Sequence, residues 1–316
     1  MGHQKELENW ILDNSHLLNL KIEQMSWTQD WFPEYSDFRI TFLDKDLEGR
    51  GVGKNRGTAF LKAFSELVER SVCSYHKINS NGVAAHYDRS KAIDNARKEL
   101  IERDAILCHH LTRTPFLQSS SIAKFDYFKK CLSIQGMELS LGEAISSVEG
   151  YRIAVCCISG NESFGTFWWY GCDTDVEKAF EHAILESMIN VSAYLYGCYK
   201  KEEITYDDFV KILNPRGIDH QRFYFSKKKS NFEVVSDLIT PESKVNINEL
   251  VVTELTVSDT IFFSSPMYVV QAKAPLLQGI FYGTPGQRDI NIKRLRRFTG
   301  KEITFQELSI VPHPIG

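Results

Sequence analysis

Three segments of the sequence repeat one pattern of two alanines and a glutamate, and this repeat constrains the fold more than any other feature. Residues 58–70, 91–103 and 178–190 each contain A-x-x-x-A-x-x-E. Residues separated by four and then three positions lie on one face of an α-helix. Alanines on that face let another backbone approach closely, and the glutamate projects from the same stripe. The repeat therefore predicts three helices packed tightly on another layer, each with an acidic group beside the contact.

The first two copies extend the pattern to E-x-x-E-R. They contain the glutamates Glu66, Glu69, Glu99 and Glu102, followed by Arg70 and Arg103. A single copy is typical of a solvated surface helix, whereas repeated acids aligned with an alanine stripe favour a convergent site. Carboxylates brought together are costly unless a cation is present, and Mg²⁺ takes oxygen ligands. The four glutamates therefore predict a magnesium site, and because Mg²⁺ usually accompanies a phosphate, they also predict a nucleotide ligand.

The fold class follows from the order of the predicted elements. Apolar periodicity predicts helices at residues 6–13, 57–75, 90–112, 176–196 and 206–213. β-branched and aromatic residues predict strands at 38–42, 151–158, 166–170, 222–225, 250–255 and 268–271. Helices and strands are interspersed rather than segregated, which predicts an α/β chain with α+β layers, its alanine-lined helices packed on mixed sheets.

A glycine-rich segment, residues 48–57, leads into the first helix of the repeat. It departs from a Walker A loop because three residues separate Gly49 from Gly53 and because Asn55 follows Lys54. Two interpretations stay open. Its backbone amides lie before a helix N-terminus and can hold phosphate oxygens, or the segment is a plain loop.

Composition excludes several classes of function. The net charge of −4 and the pI near 6.2 disfavour a nucleic-acid partner, since such binders usually carry a strongly basic face. No run approaches the roughly 18 apolar residues of a membrane span, and the mean hydropathy is −0.26. The seven cysteines are odd in number and contain no C-x-x-C, which favours a reducing, cytoplasmic location over disulfides or a zinc site.

Several stretches together resemble the YcaO superfamily. Residues 51–70 are similar to its glycine-led S-x-x-x-E-x-x-E-R helix, and residues 79–86 and 98–105 are similar to its S-N-G-x-A-A and E-L-I-E-R-D-A motifs. Residues 291–298 and 311–316 resemble its basic segment and its proline-containing tail. The resemblance runs from about residue 49 to residue 316, so it implies a YcaO-like ATP-binding catalytic domain at 49–316, preceded by a helix and an extended segment at 1–48.

The resemblance implies an ATP- and Mg²⁺-dependent enzyme that modifies the backbone of a ribosomally made peptide, as in bacteriocin biosynthesis. Phosphorylation of an amide oxygen turns it into a leaving group. A side-chain nucleophile then gives an azoline, an external sulfur gives a thioamide and an amine gives an amidine. The precursor peptide is the expected partner, with a separate leader-binding or modifying protein, in a homodimer or hetero-oligomer.

The resemblance also assigns roles to individual residues. It places nucleotide contacts at Lys62, Glu66, Glu69, Arg70, Glu99, Glu102, Arg103, Glu186 and Asn190, and metal ligands at the four glutamates of the first two helices. It places catalytic groups at Arg103 and, in the tail, at His313 and Pro314. For Arg70 and Arg103, a structural ion pair stays open as the alternative.

Two departures from the family pattern favour a second interpretation. Lys62 replaces the serine of the first motif, and Lys91 replaces an acid that precedes the second, although Asp94 follows one turn later. A lysine in place of a carboxylate repels Mg²⁺. The alternative is a catalytically weakened YcaO-like scaffold subunit that binds peptide or nucleotide for an active partner.

Overall fold

The structure is a computed structural model that describes residues 2–119, 125–160, 165–196, 204–225, 232–238, 244–257, 260 and 262–315. Cys198 lies outside these ranges, and the six other cysteines are free thiols, as the sequence predicts. None of the helices in these ranges is both long and apolar enough to cross a membrane.

The helices and strands interleave along the chain, which confirms the predicted fold class. The helices are α1 (Gly2–Asn14), α2 (Ser26–Trp31), α3 (Arg56–His76), α4 (Arg89–Thr112), α5 (Asp126–Ile134), α6 (Val176–Leu195), α7 (Tyr206–Phe209), α8 (Gly217–Phe225) and α9 (Ile292–Thr299). The strands are β1 (Leu20–Gln24), β2 (Ser36–Phe42), β3 (Leu47–Gly53), β4 (Val83–His86), β5 (Phe116–Gln118), β6 (Glu138–Ala144), β7 (Arg152–Ser159), β8 (Thr166–Asp173), β9 (Val234–Val235), β10 (Val251–Leu255) and β11 (Tyr268–Lys273).

The chain divides into two compact units. Unit 1 contains Met1–Leu100 and Leu250–Ala274, and unit 2 contains Ile101–Glu249 and Pro275–Gly316. The boundary predicted after Glu48 falls inside strand β3, because β3 completes the first sheet together with β1 and β2. Residues 1–48 are therefore part of unit 1 rather than a separate segment.

Unit 1 holds two antiparallel sheets and the first helix of the repeat. Sheet A has the order β1-β2-β3, and sheet B has the order β10-β11-β4. Helix α3 packs on β3 and β2, and fully buried side chains such as Phe64, Leu67, Ile40 and Phe262 form the core around it.

The glycines of β3 face the alanine stripe of α3. A Cβ added at Gly49 or Gly51 would overlap backbone atoms of Ala63 or Ala59, and at Gly53 it would lie 3.0 Å from the Ala59 nitrogen. The segment is therefore not a plain loop, because Gly49, Gly51 and Gly53 belong to a strand that packs closely against the helix. Phosphate binding by the amides before α3 stays a prediction.

Unit 2 repeats this contact with the third helix of the repeat. Sheet C has the order β8-β7-β6-β5-β9, antiparallel except for the β5–β9 pair. Helix α6 covers one face of β8 and β7, and a Cβ at Gly171 of β8 would overlap the Ala179 carbonyl and lie 2.9 Å from the Ala183 nitrogen. Alanines at the predicted spacing thus allow both close approaches.

Two predicted elements are wrong. Residues 222–225 end helix α8 instead of forming a strand, because the Asp219 carboxylate caps the first turn by accepting from Arg216 N–H at 2.9 Å. The aromatic side chains Phe223 and Tyr224 then pack in a small core with Phe209. The helix predicted over 206–213 ends at Phe209, and Leu213 is 90% exposed.

We predict that Gly51→Ala lowers the free energy of unfolding by about 2–3 kcal/mol or more, because the added methyl group forces α3 away from β3. Gly57→Ala is the matched control, since its Cβ would make an ordinary 3.6 Å contact with Asn55. Urea unfolding of both variants measures the difference. Equal stability of the two variants would contradict the proposed close contact.

Candidate functional site

Both carboxylate oxygens of Glu66 accept hydrogen bonds within unit 1. Oε2 accepts from the Arg50 backbone N–H of β3 at 2.6 Å, and Oε1 accepts from the Arg70 guanidinium at 2.6 Å. Arg50 N–H points away from β2, and a backbone donor at a strand edge needs an acceptor. The pair holds β3 against α3, and the metal role of Glu66 and the nucleotide contact of Arg70 stay predictions.

The side chain of Arg50 reinforces the same strand. It donates to the fully buried Asp37 of β2 at 2.7 and 3.1 Å, and Thr28 Oγ1 donates to Asp37 at 2.6 Å. A buried carboxylate is stable only when it is paired and hydrogen-bonded in this way. The strand that carries the glycine contacts is therefore fixed at Arg50 by both its backbone and its side chain.

Glu69 and Glu99 converge on one side chain of unit 1. Burial raises the pKa of the Cys73 thiol to about 12, and the negative charges of Glu69 on α3 and Glu99 on α4 add to this effect. Two half-buried carboxylates from separate helices thus act on the same position. The metal role of these two acids stays a prediction.

The donor set of unit 1 fits Mg²⁺ held together with a phosphate. In the described part of the chain, no group of three or more His, Cys, Asp or Glu side chains is placed to hold a metal. Mg²⁺ does not need such a cage, because proteins commonly bind it through one or two carboxylates plus substrate phosphates and water. Two carboxylates such as those of Glu69 and Glu99 would suffice for a site of this kind.

Glu102 and Arg103 belong to the part of α4 that lies in unit 2. Burial, with smaller contributions that include the charge of Glu102, raises the pKa of Tyr170 on β8 well above its usual value. Burial also holds the pKa of His313 well below its usual range, and Arg103 adds a small effect in the same direction. Arg103 and His313, two of the three residues predicted to be catalytic, thus both belong to unit 2.

The C-terminal tail is buried and held by hydrogen bonds within unit 2. Three consecutive tail carbonyls each accept from a side chain: Val311 O from His110 Nε2 at 2.8 Å, Pro312 O from Tyr224 Oη at 2.7 Å, and His313 O from His220 Nδ1 at 2.9 Å. The ring of His313 donates through Nε2 to the Phe281 carbonyl, and Pro314 is buried beside it.

The other predicted nucleotide contacts, Lys62, Glu186 and Asn190, differ in burial. Lys62 is half-buried on α3, with its Cβ close to Gly51. Glu186 is exposed on α6, and Asn190 follows one turn later, half-buried. Lys91 is exposed and Asp94 forms an ion pair with Lys98 at 2.7 Å, so Asp94 is engaged within its own helix.

The sequence analysis missed a buried ion pair between Asp104 of α4 and Arg294 of α9. Arg294 Nη2 lies 2.8 Å from Asp104 Oδ2 and its Nε lies 3.0 Å from Oδ1, and Asp104 also accepts from Gln278 N–H at 2.7 Å. One signal was present in the sequence. Asp104 shares its helix face with apolar Ile101, Cys108 and Leu111, and an acid on an apolar face needs a cationic partner.

Comparisons with known proteins agree with this architecture. A sequence model of the YcaO family, described as YcaO cyclodehydratase, ATP- and Mg²⁺-binding, matches residues 74–256. The fold is similar to YcaO from Methanopyrus kandleri bound with AMPPCP and Mg²⁺, with a TM-score of 0.58 and 13% identity over 87% of this chain and 91% of that one. It is also similar to a heterocyclase in complex with substrate and cofactor, with a TM-score of 0.65 and 12% identity over 98% of this chain and 57% of that one. No curated protein matches the sequence significantly.

The fold is thus that of the YcaO and heterocyclase structures, with the predicted α/β layers. Because the family model covers more than half of the 316 residues, the chain belongs to the YcaO family, as the motifs predict. The matched range includes Glu99, Glu102, Arg103, Glu186 and Asn190. Glu66, Glu69 and the tail lie outside it, so their roles rest on the residues themselves.

We predict that Arg294→Met lowers the free energy of unfolding by about 3–5 kcal/mol, because it leaves the Asp104 charge buried without its partner. Arg296→Met on the same helix is the control. Arg296 pairs at 3.0 Å with an exposed Glu302, and such surface pairs contribute about 1 kcal/mol or less. Urea unfolding at neutral pH distinguishes them, and equal losses would contradict the assigned importance of Asp104.

We also predict that acidification destabilises unit 2 through His109. Its Nδ1 donates to the Thr114 carbonyl at 3.0 Å, its Nε2 accepts from Ile145 N–H at 2.9 Å, and burial lowers its pKa to about 4. As the pH falls, the His109 ring therefore gains a proton near pH 6.5 in the unfolded chain, but only near pH 4 in the folded protein. The contribution of the neutral His109 ring to the free energy of unfolding is complete above pH 6.5 and is lost as the pH falls towards 4.

Urea unfolding between pH 7.5 and 4.5 measures this loss. His109→Gln should flatten the dependence on pH, while substitution of the exposed His16 by Gln leaves it unchanged. An identical slope in the His109 variant and the wild type would show that this ring does not carry the effect.

Proposed function

We propose that this protein binds ATP with Mg²⁺ and uses it to modify the backbone of a ribosomally synthesised peptide. The convergence of Glu69 and Glu99 on Cys73 carries the proposal, because it provides a carboxylate pair for a phosphate-bound Mg²⁺. Membership of a family described as ATP- and Mg²⁺-binding cyclodehydratases supports it. The M. kandleri YcaO, similar in fold, was solved with AMPPCP and Mg²⁺.

Each residue has a role set by its chemistry. Glu69 and Glu99 would hold Mg²⁺, which supplies charge neutralisation at the phosphates when bound. The predicted nucleotide contacts remain Glu102, Arg103, Glu186, Asn190 and Lys62. Arg103 is the cation best suited to a phosphate, since its planar guanidinium offers paired donors.

The favoured reaction is ring closure to an azoline. A Cys, Ser or Thr side chain of the peptide loses its proton and adds to the preceding carbonyl carbon. The former carbonyl oxygen takes the terminal phosphoryl group from ATP and releases ADP. That oxygen then leaves as phosphate while the amide nitrogen loses its proton to form the C=N bond. The same activation with an external sulfur or amine gives a thioamide or an amidine.

The tail contributes a neutral side chain to this chemistry. Because His313 donates through Nε2 to the Phe281 carbonyl, its Nδ1 carries a lone pair that can accept a proton or orient a donor. Pro314 restricts the backbone beside it. A truncation before Pro312 removes buried residues and two carbonyl acceptors, so we expect it to lower stability as well as activity.

A scaffold subunit is the second candidate, and the position of Glu66 favours it. Both oxygens of that acid are engaged by Arg50 and Arg70, which leaves one carboxylate fewer for a metal. The lysines at positions 62 and 91 also favour a scaffold subunit. In this case the protein binds peptide or nucleotide in a hetero-oligomer, beside a leader-binding or modifying partner.

We predict that Glu69→Gln and Glu99→Gln each weaken Mg²⁺-dependent ATP binding at least tenfold in isothermal titration calorimetry, because each removes a negative ligand from the pair. Glu48→Gln is the control, since Glu48 is exposed on β3 and pairs with Arg39 at 3.2 Å. Wild-type affinity in both variants would refute the assigned metal site.

The reaction itself is tested by mass spectrometry of candidate precursor peptides incubated with the protein, ATP and Mg²⁺. Ring closure is expected to release ADP and phosphate and to lower the peptide mass by about 18 Da per ring, the mass of one water. ATP binding without turnover, in the presence of the peptide and its partner proteins, would instead support the scaffold.

A further inference from the structure

Helix α9 and the segment that precedes it form an open cleft in unit 2. The cleft has a volume of about 450 Å³, which lies in the range of roughly 300–1,000 Å³ that is typical of small-molecule sites. Its lining residues fall between positions 275 and 297, so the cleft belongs to one unit. They are Pro275, Leu276, Asn291, Lys293, Arg296 and Arg297. We call this site the α9 cleft.

Three cationic side chains share the wall of the α9 cleft. Arg296 and Arg297 follow Lys293 by three and four positions, so Lys293 lies beside both on the surface of the helix. The fourth basic residue of α9, Arg294, is instead engaged in its buried pair with Asp104. The chain as a whole has a net charge of −4. A local excess of positive charge in an acidic protein favours an anionic ligand at this cleft.

Both arginines of the α9 cleft are held in place by backbone carbonyls. Arg296 Nε donates to the Ile303 carbonyl at 3.0 Å, and Arg297 Nη2 donates to the Leu276 carbonyl at 3.1 Å. A guanidinium has five N–H donors, so each side chain is fixed by one donor and keeps others for a ligand. Because the side chains are already ordered, a ligand loses less binding free energy to immobilising them.

The positive charge of the α9 cleft is only partly compensated. Arg296 Nη1 pairs at 3.0 Å with Glu302, whose side chain is exposed. Among the described residues, Lys293 and Arg297 form no ion pair with a carboxylate. One carboxylate against three cations leaves two positive charges uncompensated. A phosphate monoester carries about −1.5 to −2 at neutral pH and matches this excess, whereas a carboxylate group carries a single charge.

The α9 cleft also has an apolar part. Pro275 and Leu276 line it beside the cations, and Leu276 is 40% exposed. Inorganic phosphate would leave this apolar surface in contact with water. An organic group attached to the phosphate would cover it, and removal of apolar surface from water favours binding.

We propose that the α9 cleft binds a small organic molecule through its phosphate monoester group. Arg296 and Arg297 donate to the phosphate oxygens, since guanidinium groups match phosphate with paired N–H donors. Lys293 adds a third positive charge, and the organic group of the ligand packs on Pro275 and Leu276. None of these five residues is a predicted nucleotide contact or metal ligand, so the site is additional to the proposed function.

The test is isothermal titration calorimetry with phenyl phosphate at pH 7.5, in EDTA and without nucleotide. EDTA prevents the probe from binding through Mg²⁺ at the glutamates. We expect saturable binding of one phenyl phosphate per chain. Phenyl sulfate has the same ring but a single charge, and inorganic phosphate has the charge but no ring, so each should bind at least threefold more weakly.

Lys293→Gln and Arg297→Gln are each expected to weaken phenyl phosphate binding about tenfold, because each removes a charge-assisted contact. Lys293→Gln should fold as the wild type does, since its side chain is exposed and forms no ion pair in the described ranges. Lys301→Gln is the matched control. It removes one positive charge from an exposed position just after α9 that does not line the cleft, and should leave the affinity unchanged.

Four outcomes would overturn the proposal: no saturable binding of phenyl phosphate, an equal loss of affinity in Lys301→Gln and Lys293→Gln, equal affinity for phenyl sulfate, or equal affinity for inorganic phosphate. Flotation with vesicles that contain phosphatidic acid tests a lipid source of the same group. Binding to those vesicles without binding to phenyl phosphate would also refute a small-molecule site. Glu69→Gln should keep wild-type affinity for phenyl phosphate, which distinguishes the α9 cleft from the nucleotide site.

Discussion

The contact between glycines on a strand and alanines on a helix determines where the acidic residues of the repeat lie. It occurs twice, between β3 and α3 in unit 1 and between β8 and α6 in unit 2. In both places an added methyl group would overlap helix backbone, so the helix cannot rotate or move away without losing the contact. The glutamate three residues after the second alanine is therefore held at a fixed position. Glu66 reaches the backbone of β3, and Glu69 is directed towards Cys73.

Unit 2 depends on buried polar groups more than on any aromatic cluster. Asp104 and Arg294 form an ion pair that is almost fully buried, and backbone donors complete its hydrogen bonding. Around the tail, His110, His220 and Tyr224 donate to consecutive carbonyls, so a segment that contains two prolines is held through its acceptors. Proline removes backbone donors but not acceptors, and side chains are the natural partners for a segment of this kind. The result is a buried tail whose neutral His313 packs against the rings of His220 and Phe281.

The candidate site was only partly predictable from the sequence. The spacing of the acids predicts a metal site at Glu66, Glu69, Glu99 and Glu102, because helical periodicity places them beside an alanine stripe. The same periodicity does not predict that Glu66 accepts from the Arg50 N–H, since that contact depends on which strand edge lies beside the helix. Asp104 and Arg294 are separated by 190 positions, and no local pattern links them.

By itself, the sequence determined the layered fold class, the three helices of the repeat and the family, since each depends on local periodicity or on motifs that are contiguous in the chain. It also determined the absence of disulfides among the described cysteines. The tertiary structure decided what depends on packing between segments: the strand role of the glycine-rich segment, the hydrogen bond from the Arg50 N–H of β3 to Glu66, the helix at 217–225 and the hydrogen bonds of the tail. The physical reason is that a hydrogen bond or buried charge is defined by its partner, and the partner is chosen by packing rather than by spacing along the chain.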